Sequence, residues 1–183
     1  LAIPIIAKET GAGISREDAL LLKKAGVACI DVGGAGGTSW SGVESIRSRG
    51  RGNKIGEELG KTYWDWGIPT AVSVIEVAEG TAGSLKIIAT GGIRSGLDAA
   101  KALAIGADAV GIALPLLKPA SQGVQAVVSK LKQFIEEIKV AMFLVGAKNI
   151  SQLKKSNVII TGKTADWLKA RGIELAKLSR RRR

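Results

Sequence analysis

The chain has 183 residues, 46% of them hydrophobic, with 24 glycines and few aromatics, which is enough apolar material for a core and excludes a disordered chain. A net charge of +11 leaves nucleic acid, an anionic membrane surface and phosphorylated small molecules as candidate partners. With no histidine and a single cysteine, Cys29, the chain cannot hold an internal disulfide framework, a Ser-His-Asp triad or the usual zinc sites, and the cytosol is the expected compartment.

The sequence opens LAIPIIAKE, with no methionine, as if already inside a strand. It reads as part of a longer protein. Four short apolar runs closed by glycine or a charge are expected to be buried parallel strands: Ile3 to Glu9, Ala28 to Gly34, Lys86 to Gly92 and Ala109 to Leu117. Helices are expected between them. Ser15 caps the first, with Asp18 three residues on, and Gly26 closes it. Pro69 suits a first helical turn that continues through Ala71 to Ala78. Ser95 caps a third helix, through Ile105 to Gly106.

From about Gly123 to Val145 a long amphipathic helix keeps Val124, Val127, Val128, Leu131, Ile135, Ile138 and Met142 on one face. Charges interrupt it, so no membrane span is expected, and no signal peptide is visible. Residues 1–147 thus read β-α-β-α-β-α-β-α, an α/β unit that is either an open parallel sheet or half of an eightfold barrel. Residues 148–183 read as a C-terminal appendage. It carries a β-like run, Val158 to Ile160, a small helix capped by Thr164, and the terminal arginines 180–183, expected to be a solvated tail.

Two apparent motifs fail on spacing. Gly162-Lys163-Thr164 lacks the upstream glycine of a P-loop, since Asn157 stands there, and Gly34 with Gly36 lacks the last glycine of a dinucleotide fingerprint, where Ser39 stands. The adjacent pairs Glu57–Glu58 and Glu136–Glu137 are expected on solvated faces.

The run KIIATGGIRSG at 86–96 is more informative. Glycines after a buried strand let main chain approach a ligand, and a helix N-terminus at Ser95 favours an anion, with the Arg94 charge beside it. The small residues Gly111 and Ala113 of the next run allow a second backbone segment to approach the same anion, the arrangement of phosphate-binding barrels. The alternative is a plain tight turn. Lys8 ends the first strand, where its ammonium can stabilise negative charge on a ligand or pair with Glu9 or Asp31. Residues 35–56, glycine-rich with Arg47, Arg49, Arg51 and Lys54, are expected as a long loop, a lid or a solvated segment, with Thr38 and Ser39 at its root.

Taken together, PIIAKETGAGIS, IDVGGAGGTSW, WGIPTA and ATGGIRSGLDAAKALAIGADAVGIALP resemble the C-terminal half of the type 2 isopentenyl diphosphate isomerases, in order and through nearly the whole chain. The pairing of K-E-x-G-x-G with D-V-G-G-x-G-G-T-S-W carries the resemblance, because TGGIR and GADAVGIA are shared with other FMN barrels. It implies a TIM (β/α)8 barrel of which this chain forms the last four βα units. The implied activity interconverts isopentenyl and dimethylallyl diphosphate by a 1,3 proton shift on reduced FMN, with Mg2+ present and NADPH as flavin reductant.

By that resemblance Lys8 contacts the flavin N1/C2 edge and Thr38 lies near the phosphate or ribityl chain. Thr90, Gly91, Gly92 and Arg94, with Ala113 and Leu114, hold the phosphate. The family's glutamine, magnesium carboxylate, histidine and diphosphate-binding basic residues precede this stretch. No catalytic or metal residue is therefore expected here, and the isolated chain is expected to be inactive. The resemblance further implies a cytoplasmic homo-oligomer, a tetramer or larger, that binds neither nucleic acid nor membrane. The alternatives are another FMN-dependent barrel oxidoreductase, against which the missing histidine counts, and a noncatalytic phosphate-binding or nucleic-acid-binding fragment, against which the lack of aromatics among the basic residues counts.

Overall fold

The computed structural model describes residues 3–181. In chain order its elements are β1 (Ile6–Lys8), α1 (Arg16–Lys24), β2 (Cys29–Asp31), α2 (Trp40–Gly50), α3 (Lys54–Thr62), α4 (Thr70–Thr81), β3 (Lys86–Ala89), α5 (Gly96–Ala104), β4 (Ala109–Val110), α6 (Leu114–Gln122), α7 (Val124–Leu144), α8 (Ile150–Leu153), α9 (Gly162–Ala170) and α10 (Ala176–Ser179). The strands form one parallel sheet in the order β1-β2-β3-β4. The fold is therefore α/β with crossover helices, as expected. Among the described residues the sheet is open and does not close into a barrel.

All four strands are shorter than the apolar runs suggested. Beyond Lys8, Asp31 and Ala89 the chain turns through glycines that take backbone angles closed to other residues, such as Gly33 at φ +43° and Gly91 at φ +102°. The fourth run departs most. Only Ala109 and Val110 pair, and Leu114 opens a helix in which Pro115 occupies the first turn, where a missing N–H costs nothing.

Register partners Ile30 and Ile87 lie fully buried at the centre of the sheet. Val72, Val74 and Val77 of α4, Ala19 of α1, and Ala99 and Ala102 of α5 complete the core. Ser15 caps α1 by accepting from the Asp18 N–H, as its spacing predicted. On α7 the expected face is covered only in part, with Val127, Val128, Ile138 and Met142 half-buried. Phe134 is the residue that is buried, with Ile138, Ala141 and Met142 partly covered, whereas Val124, Leu131 and Ile135 face outward.

The basic 35–56 segment is not an irregular loop. Ser39 and Asn53 cap α2 and α3 by accepting from the N–H groups of Gly42 and Gly56. The two helices close on each other through glycine: the Trp64 ring lies where a Gly42 side chain would be, and Ser45 crowds Gly60. Of the glycines that suggested a loop, Gly42 and Gly56 are contact points in a helical hairpin, whereas Gly50 and Gly52 meet open space.

Residues 148–181 share the main core rather than hanging from it. Leu168 and Ile173 join the cluster around Ile30, and Leu153 packs with Ala100, Leu103 and Ala147. Val158 to Ile160 forms no strand, although the Val158 N–H donates to Leu178 O, and the helix expected to be capped by Thr164 starts at Gly162. The tail expectation also changes. Arg181 donates to the carbonyls of Ala104 at 2.6 Å and Lys154 at 2.7 Å, and burial pulls its guanidinium below the usual range. Arg182 and Arg183 lie outside the described residues.

Candidate active site

Parallel pairing aligns the C-terminal ends of the strands, so the residues that close each strand converge. Lys8 is the register partner of Asp31, and Asp31 that of Ile88, which puts Thr90 one step further along the same face. A cavity of about 530 Å³ opens there. It is lined by all eight residues singled out from the sequence: Lys8, Thr38, Thr90, Gly91, Gly92, Arg94, Ala113 and Leu114. A second hollow of similar size adjoins it across Glu9, Thr10 and Gly37, walled by Trp40, Trp64 and Trp66.

Main chain makes most of the floor. A Cβ on Gly91 would overlap the Gly34 carbonyl, and one on Gly92 would overlap that of Gly36, so the turns after β2 and β3 lie directly against each other. Among the described residues, the N–H groups of Gly91, Gly92, Ile93, Ile112 and Ala113 donate to no protein atom. They are donors at the cavity edge without an internal acceptor.

The N-terminus of α5 is a different matter. Asp98 accepts from the Arg94 and Ser95 N–H groups, Ser95 accepts from the Asp98 N–H, and Glu137 accepts from the Gly96 N–H at 2.5 Å. A complete capping box has therefore used the donors that the sequence suggested for an anion. Free donors lie in the glycine turn before the helix and at Ile112 and Ala113, the Gly111 N–H being given to Ala89 O. Arg94 is exposed at the rim, where its guanidinium donates to Gly36 O at 3.0 Å and Gly92 O at 3.2 Å and ties the two turns together.

At the other end of the cavity Lys8 Nζ donates to Asp31 Oδ2 at 2.7 Å, the ion-pair alternative for this lysine. Asp31 also accepts from the Thr90 hydroxyl and the Gly33 N–H. The Thr90 hydroxyl proton is thus committed to Asp31. Glu9 bends back over its own loop, where Oε2 accepts from the N–H groups of Gly11, Ala12 and Gly13 at 2.6, 2.5 and 3.0 Å. Burial pushes the Glu9 carboxyl up, but these donors outweigh it and hold the group below the usual carboxylate range. Trp40 Nε1 donates to Thr10 O, which joins the hairpin to that loop.

Asp31 and Glu9 entered the sequence reading only as possible ion-pair partners of Lys8, and of the two it is Asp31 that pairs with it. The signal for Asp31 was a lone carboxylate at the end of the apolar run ACIDV, and for Glu9 the three small residues that follow it closely. Among the described residues, no group of three or more His, Cys, Asp or Glu side chains is placed to hold a metal ion. Burial first, then Asp108 and Asp31, pushes the Cys29 thiol up, which disfavours its thiolate.

The sequence pattern of FMN-dependent dehydrogenases matches residues 2–160. The chain belongs to that family. It is 52% identical over 98% of its length to an isopentenyl-diphosphate delta-isomerase of Methanothermobacter thermautotrophicus, covering 49% of that protein. It is 55% identical over 98% of its length to the isomerase of Thermococcus kodakarensis, covering 46%. The chain therefore spans about half the length of the curated relatives it matches. Among solved structures it resembles a mandelate oxidase carrying an FMN adduct, at 25% identity and a TM-score of 0.63 over 88% of this chain and 43% of that one. No helix among the described residues is long and apolar enough to cross a membrane.

Proposed function

We propose that this chain is the C-terminal half of the barrel of an FMN-dependent isopentenyl-diphosphate delta-isomerase, and that the intact protein interconverts isopentenyl and dimethylallyl diphosphate. The observation that carries the reading is the convergence of all eight expected residues on one cavity at the strand ends. The open sheet and the half-length match to the isomerases agree with it.

The cavity suits FMN. Its volume lies in the range of cofactor sites. The unpaired N–H groups of Gly91, Gly92, Ile93, Ile112 and Ala113 would take the phosphate, because aligned main-chain donors without side chains let its oxygens come close. Arg94 and Leu114, next to those donors in the chain, would flank the phosphate, and Thr38 would lie near the phosphate or ribityl chain. Lys8 would face the flavin N1/C2 edge, where a fixed cation favours negative charge on the ring. Bound reduced FMN supplies the means of moving a proton across the allylic skeleton.

Mg2+, NADPH as flavin reductant, a cytoplasmic location and assembly into a tetramer or larger belong to the same proposal. Residues for the metal and for proton transfer would lie outside this segment, and residues 148–181 would cover the outside of the half-barrel.

The test is the visible spectrum of the intact protein, with the released cofactor identified by mass. Near-stoichiometric FMN, followed by isomerisation of isopentenyl diphosphate when the flavin is reduced, is the expected result. Intact protein that takes up no FMN from solution would sink the reading.

A further inference from the structure

We infer that Asp31 is a positioning residue for Lys8. The inference rests on the FMN reading of the cavity and goes beyond it. A lysine at a cavity mouth has a long flexible stem, so holding its ammonium in one place needs a fixed partner. Asp31 is such a partner. It closes β2 directly opposite Lys8 in the parallel register and is itself buried, at 6% exposure.

One oxygen accepts from Lys8 Nζ, while the other accepts from the Thr90 hydroxyl and the Gly33 N–H. Donors from the next strand and from its own turn therefore lock the carboxylate on the side away from Lys8. It cannot swing to follow the lysine, so the lysine is held by it. The Lys8 side chain remains 58% exposed against 9% for Asp31, so the ammonium is anchored at its inner side and open towards the cavity. Thr90 then serves the site through Asp31, with its hydroxyl turned away from any ligand phosphate.

The arrangement separates two kinds of outcome. If Asp31 acts by placing Lys8, its loss matters only while Lys8 is present, whereas a purely structural carboxylate would cost the same either way. The experiment is a double-mutant cycle on the intact protein, read as the FMN dissociation constant and the reduction potential of the bound flavin.

Asp31→Ala is expected to weaken FMN binding about tenfold, as for loss of one charge-assisted hydrogen bond. It should also lower the potential towards that of Lys8→Met. Asp31→Asn keeps one acceptor but turns its NH2 towards either the ammonium or the Gly33 N–H, so it should recover only part of both. In the Lys8→Met background Asp31→Ala should add nothing. Losses that multiply across the cycle, or a potential that Asp31→Ala leaves at the wild-type value, overturn the inference while leaving FMN binding by the wild type intact. Wild-type protein that binds no FMN removes the functional reading itself.

If Asp31→Ala does not fold, Thr90→Val replaces it in the cycle, since it frees the carboxylate without touching the lysine. The expected shift is smaller, in the same direction and again absent beside Lys8→Met. A Thr90→Val effect that persists in that background overturns the inference equally.

Discussion

Two buried carboxylates, Asp31 and Glu76, sit in the same sheet-and-helix layer and meet their cations in opposite ways. Glu76 on α4 has a side chain 1% exposed. It accepts from Arg171 Nε at 3.1 Å, from Trp167 Nε1 at 3.3 Å and from the Arg16 N–H at 3.0 Å. Arg171 continues to Glu17. The cluster staples α1, α4 and α9 together, and none of its members lines the cavity at the strand ends. Asp31 is as well supplied with donors, but its cation stands in that cavity. A buried carboxylate whose donors all come from packed elements is a fastener. One whose cation opens on a cavity holds a charge ready for something else.

That contrast breaks most visibly in stability. Glu76→Ala leaves the Arg16 and Trp167 donors without their acceptor and opens a hole in the core, so a loss of about 3 kcal/mol is expected in denaturant unfolding. Asp31→Asn keeps its shape and one acceptor and is expected to cost about 1 kcal/mol. Equal losses would erase the distinction. Arg171→Ala should lower the unfolding midpoint further than Glu76→Gln, because it strands a buried carboxylate. FMN affinity of the folded protein should not change in the Glu76 or Arg171 variants.

Gly91→Ala is the next largest. Its backbone sits at φ +102° and its Cβ would overlap the Gly34 carbonyl, so about 2 kcal/mol of stability is expected to go, together with the cofactor. Flavin content after purification and the thermal midpoint measure both.

The third is a pH effect at Glu9, whose folded value is depressed. Its contribution is present above the ordinary carboxylate range and is lost as pH falls through the folded value. Amide exchange of Gly11 and Ala12, which donate to Glu9 alone, should therefore accelerate, once its intrinsic pH dependence is removed, only as the solution becomes more acidic than that range, while Gly13 keeps its bond to Gly33 O. In Glu9→Gln the corrected protection should be low and flat. Retained protection at acid pH in the wild type would remove Glu9 as the tie.

The smallest is Trp40→Phe. It deletes one hydrogen bond to Thr10 O and is expected to cost about 1 kcal/mol or less, with faster exchange confined to the 9–13 loop and the start of α2. Spread of the effect to α9 would couple the two regions held here to be separate.

The order of strands and crossover helices was legible because each element carried its own local signal. Short apolar runs ended in glycine, and Ser15 and Ser95 stood at cap positions. The cavity was legible for the same reason, since strand ends in a parallel sheet must meet. What stayed hidden depended on contacts across the chain. Gly42 and Gly56 look like loop residues until Trp64 and Ser48 are seen against them. The α5 N-terminus looks open until Glu137, distant in sequence, is found at Gly96. Arg181 reads as solvated until three carbonyls from two distant segments surround it. Asp31 was legible only as one of two possible partners for Lys8, because its bonds to Thr90 and Gly33 depend on contacts that no periodicity shows.

The close meeting of Gly33, Gly34, Gly36, Gly91 and Gly92 has a consequence for how such a protein can change. Every missense codon one base away from a glycine codon specifies a residue with a Cβ. At Gly33, Gly34, Gly91 and Gly92 that atom would fall onto neighbouring main chain, while at Gly36 it would meet a backbone angle of +142°. This stretch of the molecule therefore has no gentle first mutational step. Variation in a lineage carrying this chain should pass around these codons, with change accumulating instead at positions such as Gly50, where a Cβ would meet open space at an ordinary backbone angle.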